Sequence, residues 1–315
     1  MKQARTCFSL KPHLIVAGLN MEKEVLEKYL KAGRICAEIR DELSEILKPG
    51  TSLLKIAETV EKKIQEKGGK PAFPVNISVN DITAHYTPSF NDPRVISPGD
   101  LVKIDIGVHA DGFIGDMAFT YCTEPSSLIE CSEQCIKAAL EVIKPGITIS
   151  EISKAIEGCV KERGLGLIVN LTGHTLERFV FHGSPSIPNI HNNSGHKFKE
   201  GDVIALEPFV TQTNGYVKDS GTVEIYRFLR DRPVRLPEAR EILRLAKTEY
   251  AELPFAKRWL YRHFSPLKVS LALRQLEAVG AIETYPVLKE TECKRVAQSE
   301  HTIIVMEKSI VTTRV

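Results

Sequence analysis

The chain has 315 residues, 42 Lys+Arg against 40 Asp+Glu, and a net charge of +2, so no global charge calls for nucleic acid or an anionic membrane. No apolar run reaches the ~18 residues that a bilayer span requires, and the basic N-terminal stretch lacks the apolar core and small-residue cleavage site of a signal peptide. Seven scattered cysteines fit reduced, structural thiols in a cytosol. Cys131 and Cys135 share a helical face, but no second Cys/His pair completes a zinc site.

In chain order, a helix is predicted over about 22–47, ended by Lys-Pro-Gly. Ser52 then caps a second helix whose stripe is Leu53, Ile56, Ala57, Val60 and Ile64. The segment LKPGTSLLKIAETVEKKIQEKG (47–68) recurs 96 residues later as IKPGITISEISKAIEGCVKERG (143–164), with Thr148 in the capping position and a helix before it at about 126–143. After each copy the pattern turns to strands. Two helix-helix-sheet halves predict an α+β domain with helices on one face of an antiparallel sheet. From about 232 to 288 three helical stretches interrupt the second half: PEAREILRLAKTEYAEL, PFAKRWLYRHF and SPLKVSLALRQLEAVGAI. Strand-like VEIYRFLR precedes them and VAQSEHTIIV follows.

Residues 103–121, KIDIGVHADGFIGDMAFTY, read as a hairpin turning at Asp111-Gly112. That turn sets Ala110 opposite Phe113 and Gly107 opposite Asp116, so Asp105 and Asp116 are diagonal neighbours on one face. Two carboxylates on a buried face repel unless a cation lies between them; the plainer alternative is a turn with a solvated edge. Three more residues stand beside apolar runs: His174 in VNLTGHT, Glu207 in VIALEPF and Glu300 before HTIIV. Acids in such places are unexpected, whereas a lone histidine is more often a satisfied core residue. Carboxylates with one imidazole suit Mn²⁺, Fe²⁺, Co²⁺ or Zn²⁺.

KIDIGVHADGFIGD, LTGH, ALEPF and SEHT, in this order, resemble the metal-binding segments of the methionine aminopeptidases, in particular the type 2 enzymes of archaeal form. PAFPVNISVND (71–81), AHYTP (84–88) and ERFVFHGSPSIPNI (177–190) extend the resemblance, which covers roughly residues 22–313. It implies the pita-bread fold, two pseudo-symmetric halves around a curved antiparallel sheet with a helical insertion. Two divalent metals (Co, Mn, Fe or Zn) would be bridged by Asp116 and Glu300, Asp105 completing one ion and His174 with Glu207 the other. By the same resemblance, the ions activate a water that attacks the first peptide carbonyl, with Glu207 as proton acceptor. His85 and His182 match substrate-contacting histidines, and Phe73, Phe181 and Phe209 would surround the methionine side chain. A small second substrate residue would be preferred. Ser299 departs from the family's usual Phe, which puts the pocket wall on that side in question.

The resemblance further implies a cytoplasmic monomer acting on the N-termini of nascent polypeptides, with a ribosome contact as a further partner, and neither membrane nor specific nucleic acid. Residues 232–288 match the type 2 insertion, and their last part resembles a winged-helix element. Their 12 Lys+Arg against 8 Asp+Glu over 230–290, without interleaved aromatics, favour a packing role over nucleic-acid binding. Residues 1–20 are expected to be a tail, Met21 the chemical start, and 21–315 the catalytic domain. Two alternatives share the fold: a prolidase or aminopeptidase P relative with a similar acid-rich set, and a non-catalytic ribosome- or RNA-binding protein. The helical insert and AHYTP argue against the first. Retention of all five ligand positions argues against the second.

Overall fold

The computed structural model describes residues 21–314; the expected tail of residues 1–20 lies outside them. The first half runs α1 (Lys23–Leu43), α2 (Leu53–Glu66), β1 (Lys70–Pro71), β2 (Asn76–Val79), β3 (Ile82–Ala84), β4 (Val102–Ala110) and β5 (Phe113–Tyr121). The second repeats this plan with α3 (Ser127–Val142), α4 (Ile149–Glu162), β6 (Gly166–Leu167), β7 (Thr172–Glu177), β8 (Val180–Pro188), β9 (Val203–Leu206) and β10 (Phe209–Thr211). It continues through β11 (Val217–Phe228), α5 (Pro237–Thr248), β12 (Phe255–Ala256), α6 (Pro266–Ala278), β13 (Ile282–Glu290), β14 (Ala297–Gln298), β15 (His301–Ile304) and β16 (Ile310–Val311).

The sequence repeat is a structural repeat. Ser52 accepts from the Lys55 amide at the start of α2, and Thr148 with Glu151 forms a capping box at the start of α4. Corresponding backbone bonds tie each helix entry to the segment that leads into β4 or β9: Gly50 N to Ile96 O (2.8 Å) and Gly146 N to Phe198 O (2.7 Å). Leu53 N to Arg94 O (3.0 Å) and Ile149 N to His196 O (3.1 Å) make a second such pair. Each helix pair buries its apolar stripe against its own sheet. Ile56, Val60 and Ile64 of α2 pack with Ile77, Ile104 and Ile106; Ile152 and Ile156 of α4 pack with Ile204, Leu206 and Ile303. Every such side chain removed from water contributes about 1.5–3 kcal/mol.

The hairpin forms in the expected register, Ala110 opposite Phe113 and Gly107 opposite Asp116. Asp111 and Gly112 both take positive φ (50° and 92°), the signature of a type I′ turn. The halves meet where β5 runs beside residues 298–302. Glu300 N donates to Ala118 O (2.8 Å), and Thr302 Oγ1 both accepts from Asp116 N (2.7 Å) and donates to Asp116 O (2.9 Å).

Between β11 and β13, α5 and α6 form a separate apolar cluster over their sheet, with Ile242, Leu273 and Leu276 at its centre. The middle segment departs from the helical expectation. Phe255–Ala256 pairs with β11, and only Lys257–Arg262 coils, as a 3-10 helix. Its buried residues Arg258, Trp259 and Leu260 are consecutive, so burial does not follow the helical period. Glu61 of α2 accepts from the Arg258 guanidinium and, at 2.9 Å, from Trp259 Nε1, all of them buried. Removing one partner of a buried ion pair strands the other charge, at about 3–5 kcal/mol. Glu61→Ala is therefore expected to lower unfolding free energy by that amount in denaturant titration; a loss under about 1 kcal/mol would show that Arg258 finds water instead.

Candidate metal centre and substrate pocket

Each candidate residue comes from a different strand or strand end. Asp105 lies on β4, Asp116 on β5 and His174 on β7; Glu207 follows β9 and Glu300 precedes β15. Antiparallel pairing aligns them: His174 lies opposite Ala205 on β9, and His301 opposite Leu206. All five line one cavity of about 260 Å³, together with Phe73, His85, Phe181, His182 and Phe209. Every site residue expected from sequence is thus brought to one place.

The spacing suits a shared cation. His174 Nε2 stands 3.6 Å from Glu207 Oε1 and 3.8 Å from Asp116 Oδ2, too far for good hydrogen bonds yet close enough to converge on one ion. Asp116, His174 and Glu300 each offer a ligand atom within 4.8 Å of the others, and all three are buried. Burial pushes the Asp105 carboxyl up to about 7, against a weak bond from Asn76 Nδ2 (3.4 Å). Asp116, Glu207 and Glu300 are held well above the carboxylate range, first by burial and then by one another's charge. Burial lowers His174 to about 4, so its imidazole is a neutral ligand. The buried Oδ1 atoms of Asp105 and Asp116 have no hydrogen-bond partner. Hard oxygen donors, mutually repelling and partly orphaned, fit a divalent cation of the Mn²⁺, Fe²⁺, Co²⁺ or Zn²⁺ type.

Next to the acids lies an aromatic hollow. Phe73 and Phe181 are 6.1 Å apart between centroids, and Phe209 is fully buried. His182 sits against Phe181 (4.0 Å) and His174 (4.5 Å), with its own edge open to solvent. Burial of its ring and the neighbouring His174, His85 and Arg227 hold it neutral. His85 has its Nδ1 buried without a partner, and burial lowers its pKa. Its φ is 61°, a left-handed conformation that costs a non-glycine residue of order 1–3 kcal/mol.

Sequence reasoning missed supporting residues. Gly107 makes room for Phe73: a Cβ there would collide with the Phe73 ring. Tyr285 of β13 meets His85 edge-on at 5.7 Å and Phe181 at 5.9 Å. Gln298 Nε2 donates to Glu300 Oε2 (3.2 Å). Gly107's position opposite Asp116 was readable from the hairpin; Tyr285 and Gln298 carried no local signal.

Ser299 corrects the sequence reading. Its side chain turns away from the cavity, buried against α3, where its Oγ is 2.7 Å from Ser132 Oγ. Neighbours in an extended chain face opposite sides, so with Glu300 in the cavity Ser299 cannot also wall it. The thiols need a similar correction: Cys159 of α4 joins Cys131 and Cys135 in one buried cluster.

A model of metallopeptidase family M24 matches residues 27–244. The chain is 47% identical to a methionine aminopeptidase of Thermococcus onnurineus over 291 residues, 91% of this chain and 99% of that protein. The chain belongs to metallopeptidase family M24. Its similarity at this level places it among the methionine aminopeptidases, which are metallo-exopeptidases. Two solved structures share the fold at low identity. A thermophilic Arx1 has a TM-score of 0.82 at 18% identity, covering 94% of this chain and 92% of that one. A methionine aminopeptidase from Thermotoga maritima has 0.66 at 22%, covering 94% and 98%. Among the described residues, no helix is long and apolar enough to cross a membrane.

Two outcomes are expected of variants here. Asp116→Asn removes a buried carboxyl whose ionisation its surroundings oppose, so the protein in chelator should melt no lower than the parent. The rise in melting temperature on adding Mn²⁺ should vanish; in the parent, metal at 100 times its dissociation constant should add about 2.7 kcal/mol. Ser299→Phe should lower the melting temperature by overfilling the contact with α3, while leaving the second-residue preference on a Met-Xaa-Ser peptide series unchanged.

Proposed function

We propose that this chain removes the N-terminal methionine of nascent proteins and peptides in the cytoplasm, using two divalent ions. The observation that carries the reading is the convergence of five separately encoded ligand candidates beside an aromatic hollow formed by Phe73, Phe181 and Phe209. Asp105, Asp116, His174, Glu207 and Glu300 would hold the ions. Bound there, the ions would supply Lewis acidity and lower the pKa of a water.

The remaining chemistry belongs to the chain. Glu207 is the carboxylate next to His174, and we assign it the proton leaving the water. We assign the open edge of His182 to the substrate carbonyl and the unpartnered Nδ1 of His85 to the scissile amide. Both histidines are held neutral by burial, so each can donate through one nitrogen without carrying a charge. Phe73, Phe181 and Phe209 offer polarizable faces to a thioether and exclude water around it. We assign residues 21–315 to one catalytic unit in which 232–288 form an inserted subdomain.

Release of methionine from Met-Ala-Ser, set against cleavage of Ala-Pro and measured with metal content, tests the reading. Turnover of Ala-Pro alone would favour a prolidase-like enzyme. In the same assay, His85→Ala should keep full metal and a parental melting temperature. Its turnover should fall about 10²–10³-fold, the usual effect of losing one polar group that stabilises a developing charge. Near-normal turnover with full metal would remove His85 from the chemistry.

A further inference from the structure

The helical layer of the second half contains a cluster that the carboxylate pocket does not use. Cys131 and Cys135 lie one turn apart on α3, and Cys159 comes from the neighbouring α4. Their three Sγ atoms all lie within 4.8 Å of one another, and all three residues are buried. None is in a disulfide. Three sulfurs bound at about 2.3 Å to one ion would stand about 4 Å apart, so a small closure of the two helices suffices. Among the described residues no imidazole or carboxylate belongs to the group. Its donor set is therefore purely soft, the opposite of the oxygen-rich pocket.

Two neighbouring features favour a cation over three packed thiols. Arg163 places Nη1 3.2 Å from Cys159 Sγ, a positive charge that stabilises thiolate. A groove between α3 and α4, lined by Gln134, Lys137, Lys154, Cys159 and Arg163, gives an ion a path from solvent. We propose that Cys131, Cys135 and Cys159 form a second metal site, which takes one soft d¹⁰ divalent cation of the Zn²⁺ and Cd²⁺ class as a tris-thiolate complex. The ion displaces the thiol protons and staples α3 to α4. Because the ion displaces thiol protons, its uptake strengthens with rising pH.

Cd²⁺ is the probe, because thiolate-to-cadmium charge transfer absorbs in the ultraviolet and the carboxylate pocket holds no sulfur. The full chain, kept reduced and anaerobic, should show this band saturating at one equivalent, and Zn²⁺ should bleach it by competition. Cys159→Ser and Cys135→Ser should lose the band; Cys36→Ser and Cys293→Ser, altered elsewhere, should keep it. Melting temperature without cadmium and methionine release with pocket metal report whether each variant is folded. Should the serine variants unfold, the parent decides. Cd²⁺ must then protect Cys131, Cys135 and Cys159 together from alkylation, as mapped by peptide mass. No band in the parent, a band surviving in both folded serine variants, or no joint protection would overturn the site. So would a disulfide between two of the three in a chain that, once reduced, takes up no cadmium.

Discussion

The organising constraint is the gathering of four carboxylates, two buried and two partly buried, in one cavity. Asp116 and Glu300 are each about 2% exposed, and among the described residues no Lys or Arg lines that cavity. Desolvation raises the pKa of all four, and for Asp116, Glu207 and Glu300 the neighbouring carboxylates raise it further. A protein that folds around such a cluster spends stability that only a multivalent cation returns. The neutral His174 adds a ligand without further charge. Hard oxygen donors then select the kind of ion, and the absence of thiols from the cavity keeps soft-metal chemistry out of it.

Holding repelling groups together demands rigid supports, and the duplicated plan supplies them. Each half packs two helices on its strands, and the entry to the second helix is bonded at equivalent positions to the segment leading into β4 or β9. The halves then join along β5 and residues 298–302, where Thr302 bonds both backbone atoms of Asp116. Asp116 and Glu300 come from opposite halves. Their approach is thus fixed by backbone pairing and does not depend on any attraction between them.

Much of this was legible in the sequence because it is local or periodic. Asp111-Gly112 determines the hairpin register, and the register alone puts Asp105 and Asp116 on one face. The repeated Lys-Pro-Gly and capping residues located both helix pairs. The convergence of His174, Glu207 and Glu300 is a matter of long-range pairing, so it was reachable only through resemblance. Ser299 shows the hazard of that route. A family pattern suggested a pocket wall, while the two-residue alternation of extended chain already placed residue 299 opposite Glu300. Cys159 was hidden for another reason: helix-to-helix packing between α3 and α4 leaves no mark in the spacing of cysteines along the chain.

The segment between β11 and β13 bears on the site through His85. Arg258 Nη1 donates to Thr87 Oγ1 (2.6 Å) and Pro88 O (3.2 Å), and Thr87 in turn donates to Val75 O (2.7 Å). On the other side, β13 pairs with β3 through Leu288 and Ala84, and Tyr285 closes on the His85 ring. His85 is thereby clamped on both flanks by elements remote in sequence. A left-handed histidine persists only where its surroundings over-determine it. Arg258 is itself held by Glu61 of α2, so the insert is keyed to the first helix pair as firmly as to the sheet. The helical stretch that appears in sequence as an interruption is therefore part of what holds one wall of the cavity. The Glu61–Arg258 pair thus supports the Thr87–Pro88 segment that follows the left-handed backbone of His85.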